Sequence, residues 1–583
     1  MMKNTIYSIN GPVVTVKNAV DFSMLEMVFV GNNKLLGEVI SISHESTTIQ
    51  VYESTTGLVI GEPVLSTGEP ISALLGPGLL KNIFDGIERP LKIISENEGI
   101  FIPIGSDVES LDSKQLWDVT LSVKIDDELR FGQIYATIPE TETIEHRLMV
   151  PKGMDGRVTF VAKNGSYKLH DVIVKTEDTH GQTYELTLVQ KWPIKTPRPV
   201  KNRIPISVPL ISGQRIIDTL FPIAKGGAAA VPGGFGTGKT MMQHQFAKWC
   251  DADLIVYVGC GERGNEMTQV LEEFGELIDP RTNKKLMERT VLIANTSNMP
   301  VAAREASIYT GVVIAEYYRD MGYHVALMAD STSRWAEALR EISGRLEEMP
   351  AEEGFPAYLP SRISQFYERA GYMKTLSGHE GSVSIIGAVS PQGADFSEPV
   401  TQNTKRFVRS FWALDKQLAY QRHYAAINWN TSYSEYVTDL SKWYDQNVSP
   451  RFLTNRQAIM GILSEENKLL EIAKLIGSDV LPDDQKLIIE VGKVIRLGFL
   501  QQNAFHKDDT YVPLQKQLQM MDVILYLNQK AKSFIESGRS LSTLIDTGIF
   551  ESIIKMKYDV ANDELEKFDE YPKTIDRIIK RIH

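Results

Sequence analysis

The sequence predicts a multidomain α/β protein, and three stretches with different hydrophobic patterns carry this prediction. Alternating segments typical of β-strands dominate up to about residue 195, apolar strands alternate with helices from about 196 to 430, and helical spacing continues to the end. A chain of 583 residues is long enough for three or four domains, and a hydrophobic content of 43% supplies a core for each.

Residues 1–70 are predicted to form a small β-barrel. Residues 5–16 and 48–52 alternate between apolar and polar side chains, and closely spaced short strands are typical of small barrels. The next stretch, 71–115, is mixed, and the Gly76-Pro77-Gly78 sequence predicts a helix that begins there.

Residues 116–195 form a second β-rich region, which we interpret as an insertion. Residues 157–161 are strand-like, and Gly153, Gly156 and the Asn164-Gly165 pair give turn signals on both sides. The residues are equally compatible with a docking surface and with a passive spacer.

Residues 71–115 and 196–430 are predicted to form one nucleotide-binding α/β domain. Its candidate strands are short and mostly apolar, as expected in a parallel sheet covered on both faces: 254–258, 291–294, 324–329 and 382–389. Ligands of such sheets bind at the carboxyl ends of the strands. Residues 431–583 follow as a helical bundle with an apolar stripe: Leu487, Ile488, Val491, Val494, Ile495 and Leu500.

The most specific motif is a phosphate-binding loop that matches G-x-x-x-x-G-K-[ST] in full: Gly233, Gly234, Phe235, Gly236, Thr237, Gly238, Lys239 and Thr240. Glycines let such a loop wrap a polyphosphate with its backbone N–H groups pointing inward. Lys239 then reaches the β- and γ-phosphates, and the Thr240 hydroxyl can ligate Mg²⁺. Residues 226–231 predict a strand before the loop, and 240–249 predict a helix whose N-terminus faces the phosphates. The chain is therefore predicted to bind a nucleoside triphosphate.

Glu262 is the predicted catalytic carboxylate. It follows strand 254–258 in a turn that contains Gly259, Gly261 and Gly264. Hydrolysis needs a group that orients a water and accepts its proton, and a carboxylate can do both. An isolated loop glutamate is more often only solvated, but a phosphate-binding loop one helix away favours the catalytic interpretation.

Asp330 is the predicted metal-associated acid. It follows the apolar strand 324–329, the usual position of the acid that holds Mg²⁺ through its water shell in P-loop enzymes. Because many strands end in Asp, the assignment depends on the phosphate-binding loop. Arg334, four residues later, fits either a switch role or a structural salt bridge.

Charge and composition exclude several classes of protein. With a net charge of −12 and no long basic stripe, the chain is not expected to bind nucleic acid. It begins without the apolar helix of a secretory leader, and it contains no membrane-spanning run of about 18 apolar residues. Cys250 and Cys260 lack metal-ligand spacing and are predicted to be buried thiols in a reducing compartment. We expect a cytoplasmic protein that reaches a membrane only through partners.

Together these motifs resemble the catalytic A subunit of rotary V-type and archaeal-type ATPases. The resemblance covers most of the chain and is strongest from about 200 to 430. It is carried by residues 261–267, 294–307, 330–341 and 397–404. It implies a RecA-like nucleotide-binding domain, and residues 116–195 correspond to the family's insertion, the bulge domain.

The resemblance also implies a complex. Three A and three B subunits would surround a central shaft, with peripheral stalks and an indirectly attached membrane rotor ring. Hydrolysis of Mg-ATP would drive H⁺ or Na⁺ transport, and the same machine can make ATP. The implied cofactors are therefore Mg²⁺ and ATP or ADP, and the arginine finger would come from the B-type subunit.

Residue roles are carried over by position. The phosphate and Mg²⁺ contacts fall on Lys239 and Thr240, and the water-activating role falls on Glu262 with Arg263 beside the site. The resemblance places the adenine pocket at Tyr424, Ala504 and Phe505.

The sequence departs from the family pattern in two functional segments and at one further position. Gly234 replaces a proline and Thr237 an alanine in the phosphate-binding loop, so a looser loop is expected. Tyr424 and Ala425 stand where Phe-Pro is usual, and Pro360 replaces a glycine. All chemical groups remain, so activity is expected.

Other classes of protein share parts of this pattern. A nucleotide-binding subunit without turnover, like the family's B subunit, lacks the loop lysine and the catalytic glutamate, whereas Lys239 and Glu262 are present. A diverged RecA-like hexameric motor that acts on nucleic acid or secreted protein would lack the 116–195 insertion. A paralogous complex that is not coupled to ion transport would retain every motif named above.

Overall fold

The computed structural model describes residues 4–17, 21–98, 105 and 108–582. The chain forms two compact units. Unit 1 comprises Met1–Pro205, Lys225–Ala228 and Ala252–Val408, and unit 2 comprises Ile206–Ala224, Ala229–Asp251 and Arg409–His583. The division cuts across the predicted 71–115 and 196–430 domain, whose bounds stay a prediction.

The N-terminal part of unit 1 is the predicted barrel. Its strands are β1 (Ile6–Asn10), β2 (Val13–Lys17), β3 (Glu26–Val30), β4 (Leu35–Ile42), β5 (Ser46–Val51) and β6 (Val64–Pro70). They pair in the order β1-β2-β5-β4-β3-β6, and a bridge between Thr5 and Pro63 joins the two ends. Val14, Val28 and Ile49 fill the interior because alternate side chains of each strand point inward. The barrel prediction is confirmed.

The segment after the barrel corrects one prediction. It contains β7 (Ser72–Leu75), β8 (Ile83–Phe84) and α1 (Leu91–Glu98). The helix predicted to begin at residues 76–78 is wrong, because these residues form a turn. The backbone N–H groups of Gly78 and Leu80 donate to the Glu140 carboxylate at 2.8 and 3.2 Å. Gly78 has a φ of 103°, outside the helical region, and a distant carboxylate holds the turn in place.

The insertion is a β-sandwich. It contains β9 (Trp117–Leu121), β10 (Glu128–Leu129), β11 (Ile134–Pro139), β12 (Glu145–Met149), β13 (Gly156–Val161), β14 (Gly165–Tyr167), β15 (Val174–Glu177), β16 (Thr183–Leu186) and β17 (Gln190–Pro193). One antiparallel sheet has the order β10-β13-β15-β16 and the other β12-β11-β9-β14. β17 returns to pair with β7. His146 of the insertion is buried between the Glu140 carboxylate (2.7 Å) and the Tyr317 hydroxyl (2.9 Å), which anchors the sandwich to the rest of unit 1.

The elements from residue 202 to 434 alternate between strands and helices. The strands are β18 (Asn202–Arg203), β19 (Ala228–Pro232), β20 (Leu254–Glu262), β21 (Thr290–Thr296), β22 (His324–Asp330), β23 (Gly371–Lys374), β24 (Glu380–Val389), β25 (Ser410–Phe411) and β26 (Tyr433–Ser434). The α-helices are α2 (Lys239–Trp249), α3 (Gly264–Glu276), α4 (Val301–Asp320), α5 (Thr332–Arg345), α6 (Leu359–Tyr367), α7 (Pro399–Phe407) and α8 (Lys416–Tyr420). A π-helical turn spans Ile216–Leu220, and short 3₁₀ turns span Leu286–Arg289, Glu352–Gly354 and Gln392–Ala394.

In unit 1, β24, β22, β20, β21 and β8 pair in that order as a parallel sheet. All four strands predicted from the sequence lie in this sheet. The side chains of β20, β21 and β22 are buried almost throughout, as expected for strands covered on both faces.

In unit 2, β19 pairs in parallel with β25, and a helical bundle follows. Its α-helices are α9 (Val437–Asn447), α10 (Arg451–Ile476), α11 (Asp483–Val494), α12 (Leu514–Glu536), α13 (Leu541–Ile545), α14 (Ile549–Asp559) and α15 (Glu570–Arg581). Ile495–Leu500 is π-helical, and 3₁₀ turns span Ser478–Val480 and Leu565–Asp569. The predicted apolar stripe is buried, apart from a partly exposed Ile488. Across the described part of the chain, no helix combines the length and apolar character needed to cross a bilayer.

Candidate nucleotide-binding and catalytic residues

The phosphate-binding loop, residues 233–240, connects β19 to α2 as the sequence predicts. Gly236 and Gly238 have φ angles of 76° and 87°, which glycine adopts without strain, and Gly238 caps the N-terminus of α2. The first N–H groups of the helix have no acceptor within the helix, so they can bind phosphate oxygens. Phe235 is 79% exposed, and Thr240 is partly exposed in the first turn of α2.

The Lys239 ammonium is held by its own loop. Its Nζ donates to the Gly233 carbonyl at 2.8 Å and to the Gly234 carbonyl at 3.0 Å. Phosphate oxygens are stronger acceptors for an ammonium than neutral carbonyls, so they can replace these partners.

The two departures in the loop are hydrogen-bonded to each other. Thr237 is buried, and its hydroxyl donates to the Gly234 carbonyl at 2.8 Å. Glycine at position 234 is expected to loosen the loop, and this bond opposes that effect. The Thr237 side chain therefore lies within the loop, where it closes the turn.

Unit 2 also brings together the two segments assigned to the adenine side. The Gln502 backbone N–H donates to the Tyr424 carbonyl at 2.7 Å, which joins the segment 501–505 to the segment around Tyr424. Ala504 is partly exposed, and Phe505 is 89% exposed. An exposed aromatic ring of this kind has a face available for stacking.

Arg215 holds the segment 499–509, and sequence reasoning missed it. The guanidinium is completely buried and donates to the Phe499 carbonyl, to the Gln501 carbonyl at 2.8 Å and to the Asp509 carboxylate. The neighbouring Ile216-Ile217 pair gave only a weak signal that Arg215 is buried, and its partners around residues 499–509 are far away in the sequence.

In unit 1, Glu262 and Asp330 lie at the carboxyl ends of adjacent parallel strands, and β20 continues to Glu262 where the sequence predicted a turn after Val258. Asp330 ends β22 opposite Gly259 of β20, and Glu262 ends β20 three residues later. A bulge at Gly261, where φ is 70°, shifts the strand register immediately before Glu262. A Cβ at this position would lie 2.9 Å from the Cδ atom of Arg304, so glycine is required for the close approach as well.

We call Glu262, Glu266 and Asp330 the carboxylate cluster. Burial, the Asp330 charge and the nearby Glu266 carboxyl raise the pKa of Glu262 to about 8, and the Arg334 charge acts in the opposite direction. Asp330 is 2% exposed and accepts a hydrogen bond from the Tyr257 hydroxyl at 3.2 Å. Like charges held this close favour a proton among them.

The arginines near this cluster differ in their contacts. Arg334 donates to Glu337 at 2.9 Å, one turn along α5, which supports the salt-bridge interpretation. The Arg263 side chain is 61% exposed, and its Nη1 lies 3.9 Å from the Glu266 carboxylate. Arg263 also forms the N-cap position of α3.

The oxygen donors fit Mg²⁺ that is bound mainly by phosphates. Within the described ranges, the structure contains no group of three or more His, Cys, Asp or Glu side chains arranged to hold a metal ion. Mg²⁺ typically uses one or two protein oxygens together with waters and substrate phosphates. The Thr240 hydroxyl and the Asp330 carboxylate are donors of this kind. Cys250 and Cys260 are both buried, as predicted.

Four family models match the chain. The "ATP synthase alpha/beta family, beta-barrel domain" matches residues 6–68, and the "ATPsynthase alpha/beta subunit barrel-sandwich domain" matches 108–195. The "ATP synthase alpha/beta family, nucleotide-binding domain" matches 213–434, and the "C-terminal domain of V and A type ATP synthase" matches 441–544. These matches confirm the predicted fold class region by region.

One solved structure has a similar fold but a much lower sequence identity. The assembled ATPase EscN of the enteropathogenic E. coli type III secretion system superposes with a TM-score of 0.64. The match covers 90% of this chain and 100% of EscN at 20% identity. At this identity the similarity shows a shared fold, and the activity must be argued from closer relatives.

Full-length relatives are much more similar. The V-type ATP synthase alpha chain 2 of Clostridium tetani is 60% identical over 96% of this chain and 95% of its own length. The V-type ATP synthase alpha chain of Halothermothrix orenii is 57% identical over 100% of this chain and 98% of its own length. The A subunit of the A-type ATP synthase from Methanopyrus kandleri is 53% identical over 99% of this chain and 98% of its own length. The chain therefore belongs to the family of A subunits, or alpha chains, of V-type and A-type ATP synthases.

Proposed function

We propose that this chain is the catalytic ATP-hydrolysing subunit of a rotary V-type ATPase. Hydrolysis of Mg-ATP would turn a central shaft and move H⁺ or Na⁺ across a membrane, and the reverse reaction would make ATP. The observation that carries the proposal is the intact phosphate-binding loop with Lys239 at the start of α2, in a chain 60% identical to a V-type alpha chain.

Binding of the triphosphate is assigned to unit 2. The N–H groups at the start of α2 and the Lys239 ammonium bind the β- and γ-phosphates, which replace the Gly233 and Gly234 carbonyls as acceptors. Tyr424, with Ala504 and Phe505, provides the adenine side.

Activation of water is assigned to Glu262. Its carboxylate accepts a proton as the water oxygen bonds to the γ-phosphorus, and the bond from that phosphorus to the bridging oxygen breaks with its electron pair leaving on ADP. With a pKa of about 8, close to neutral pH, this carboxyl can both release and take up a proton. Arg263 lies next in the chain and adds positive charge beside this carboxylate. Thr240 and Asp330 would hold Mg²⁺, which neutralises charge on the phosphates.

The partners follow from the family. We propose a hexamer of three copies of this chain and three B-type subunits, with an arginine finger supplied by the B-type subunit. Shaft and peripheral stalk subunits would connect it to the membrane rotor ring. The chain would then be cytoplasmic and peripheral to the membrane, without a nucleic-acid partner.

The decisive experiment compares this chain alone with the chain assembled with its B-type partner. An arginine finger supplied by a neighbouring subunit increases the rate of hydrolysis by roughly 10³–10⁵-fold. Steady-state ATPase activity should therefore be low for the chain alone and should appear on assembly with the B-type subunit. Full activity of the isolated chain would contradict the interface-site proposal. Reconstituted vesicles test the coupling, and ATP hydrolysis without H⁺ or Na⁺ uptake would instead favour a paralogous complex.

A further inference from the structure

A cavity of about 550 Å³ in unit 1 is rich in cations and lies outside the residues discussed above. Its lining includes Lys195, Arg198, Arg203, Arg319, Arg362 and Arg369. The carboxylates in the lining are those of Glu316 and Glu368. The volume is within the range of pockets that hold small molecules.

Four of the six cations have carboxylate partners. Arg369 forms a bidentate pair with Glu316, with bonds of 3.0 and 2.6 Å. Arg198 and Arg319 share Asp320, with bonds of 2.6 and 2.7 Å.

Lys195 is the fourth paired cation. It donates to Glu38 at 2.6 Å, and its Nζ lies 3.6 Å from Glu305. These four cations, with the carboxylates that neutralise them, form a rigid wall for the cavity.

The other two cations form no ion pair with a carboxylate in the described ranges. Arg203 donates to the backbone carbonyls of Ala370, at 3.3 Å, and Glu368 at 2.5 Å, so its charge is not neutralised. Arg362, on α6, forms no ion pair among the described residues, and its guanidinium lies 5.8 Å from the centre of the Tyr358 ring. Both side chains line the cavity.

A buried hydroxyl adds a donor to the same cavity. Tyr309, on α4, is 3% exposed, and its hydroxyl has no hydrogen-bond partner in the part of the chain that the structure describes. A buried hydroxyl without a partner carries a desolvation cost that a ligand oxygen would remove.

From these contacts we infer that the cavity binds an anion with phosphate-type oxygens, for which inorganic pyrophosphate serves as the probe. Arg203 and Arg362 supply planar donor pairs that match such oxygens, and the Tyr309 hydroxyl supplies a neutral donor. The four paired cations are neutralised by their carboxylates, so the positive charge offered to a ligand is that of Arg203 and Arg362. This site is separate from the phosphate-binding loop and does not depend on the proposed function.

The test is a calorimetric titration of inorganic pyrophosphate into the full chain without Mg²⁺. The chain carries Lys239→Ala, because the phosphate-binding loop would otherwise bind the same probe. We expect one saturable site per chain. Arg203→Ala and Arg362→Ala should each weaken binding about tenfold or more, since each removes a charge-assisted contact. Tyr309→Phe should weaken it by less than Arg362→Ala.

Lys201→Ala is the matched control, because Lys201 is an exposed cation two residues from Arg203 and is not part of the lining. Binding in this variant should be unchanged. Thermal unfolding checks that each variant is folded, and Arg362→Gln replaces Arg362→Ala if the latter is not. Absence of saturable binding would overturn the inference. So would binding that is insensitive to Arg203 and Arg362, or that falls equally in Lys201→Ala.

Discussion

The phosphate-binding loop in unit 2 and the carboxylate cluster in unit 1 handle charge in opposite ways. The loop presents backbone N–H groups and one ammonium, and its own carbonyls act as replaceable acceptors for Lys239. The cluster holds Glu262, Glu266 and Asp330 close together, and burial together with their mutual repulsion raises the pKa of Glu262. The loop is thus suited to bind an anion, and the cluster is suited to hold a proton. Changes in the loop should affect binding first, whereas changes in the cluster should affect chemistry.

The largest effect is expected from Lys239→Ala. Two charge-assisted contacts to the phosphates would be lost, so ATP affinity and turnover should both fall, together by roughly 10²–10⁴-fold. Equilibrium ATP binding and steady-state hydrolysis in the assembled complex measure the two effects. Lys248→Ala on the same helix is the control and should change neither. Near-normal hydrolysis by Lys239→Ala would show that the loop has been misassigned.

Glu262→Gln should separate binding from chemistry. The amide is nearly isosteric but cannot accept the proton from water, so turnover should fall by about 10²–10⁴-fold while ATP affinity stays the same or improves slightly. Glu272→Gln, at an exposed position of α3, serves as the control. Lost ATP binding would recast Glu262 as a structural residue, and retained turnover would move the catalytic role to Glu266.

Arg215→Lys should have an intermediate effect on ATP binding that is confined to contacts with the adenine ring. Lysine keeps the charge but cannot hold Gln501 and Asp509 together as the guanidinium does, a loss of about 1.5–3 kcal/mol. If the segment 501–505 contacts adenine, ATP binding should weaken while binding of inorganic tripolyphosphate, which lacks the base, stays unchanged. Equal weakening of both ligands would contradict the adenine-side assignment.

The smallest effect is expected from Thr237→Ala. Loss of its hydrogen bond to the Gly234 carbonyl should cost about 1 kcal/mol, or roughly a fivefold increase in the Kd for ATP. Adding Gly234→Pro should recover part of this loss, because proline restricts the loop in another way. Thr268→Ala removes a similar bond, 3.0 Å to the Gly264 carbonyl, outside the loop and should leave the Kd unchanged. An unchanged Kd in Thr237→Ala would show that the bond does not order the loop.

The successful predictions came from local patterns. Short-range geometry imposes a characteristic hydrophobic periodicity on each strand and helix. This periodicity is present in the barrel strands, in the helix after the phosphate-binding loop and in β20, β21, β22 and β24. The wrong helix at residues 76–78 shows the limit of this approach. There the backbone N–H groups donate to Glu140, about sixty residues away in the sequence. A short sequence segment around Gly78 does not include that partner.

The roles given to Lys239, Thr240, Glu262, Asp330 and Tyr424 stay predictions that the experiments above would test. The first four lie at a helix N-terminus or at strand ends, which agrees with the chemistry expected of them. The cationic cavity had no sequence signal at all, because Arg203, Tyr309 and Arg362 come from three separate elements.

By itself, the sequence determined the family, the order of domains and the residue types available for phosphate, metal and proton chemistry. Each of these can be recognised from short motifs and local patterns, in which the residues are close together in the chain. Tertiary structure decided which groups are partnered. Arg215 meets Asp509 across 294 positions, and Arg362 lies beside a cavity without forming an ion pair among the described residues. Burial makes these differences matter, since a charge or hydroxyl removed from water needs a partner that only the folded chain, or a ligand, can supply.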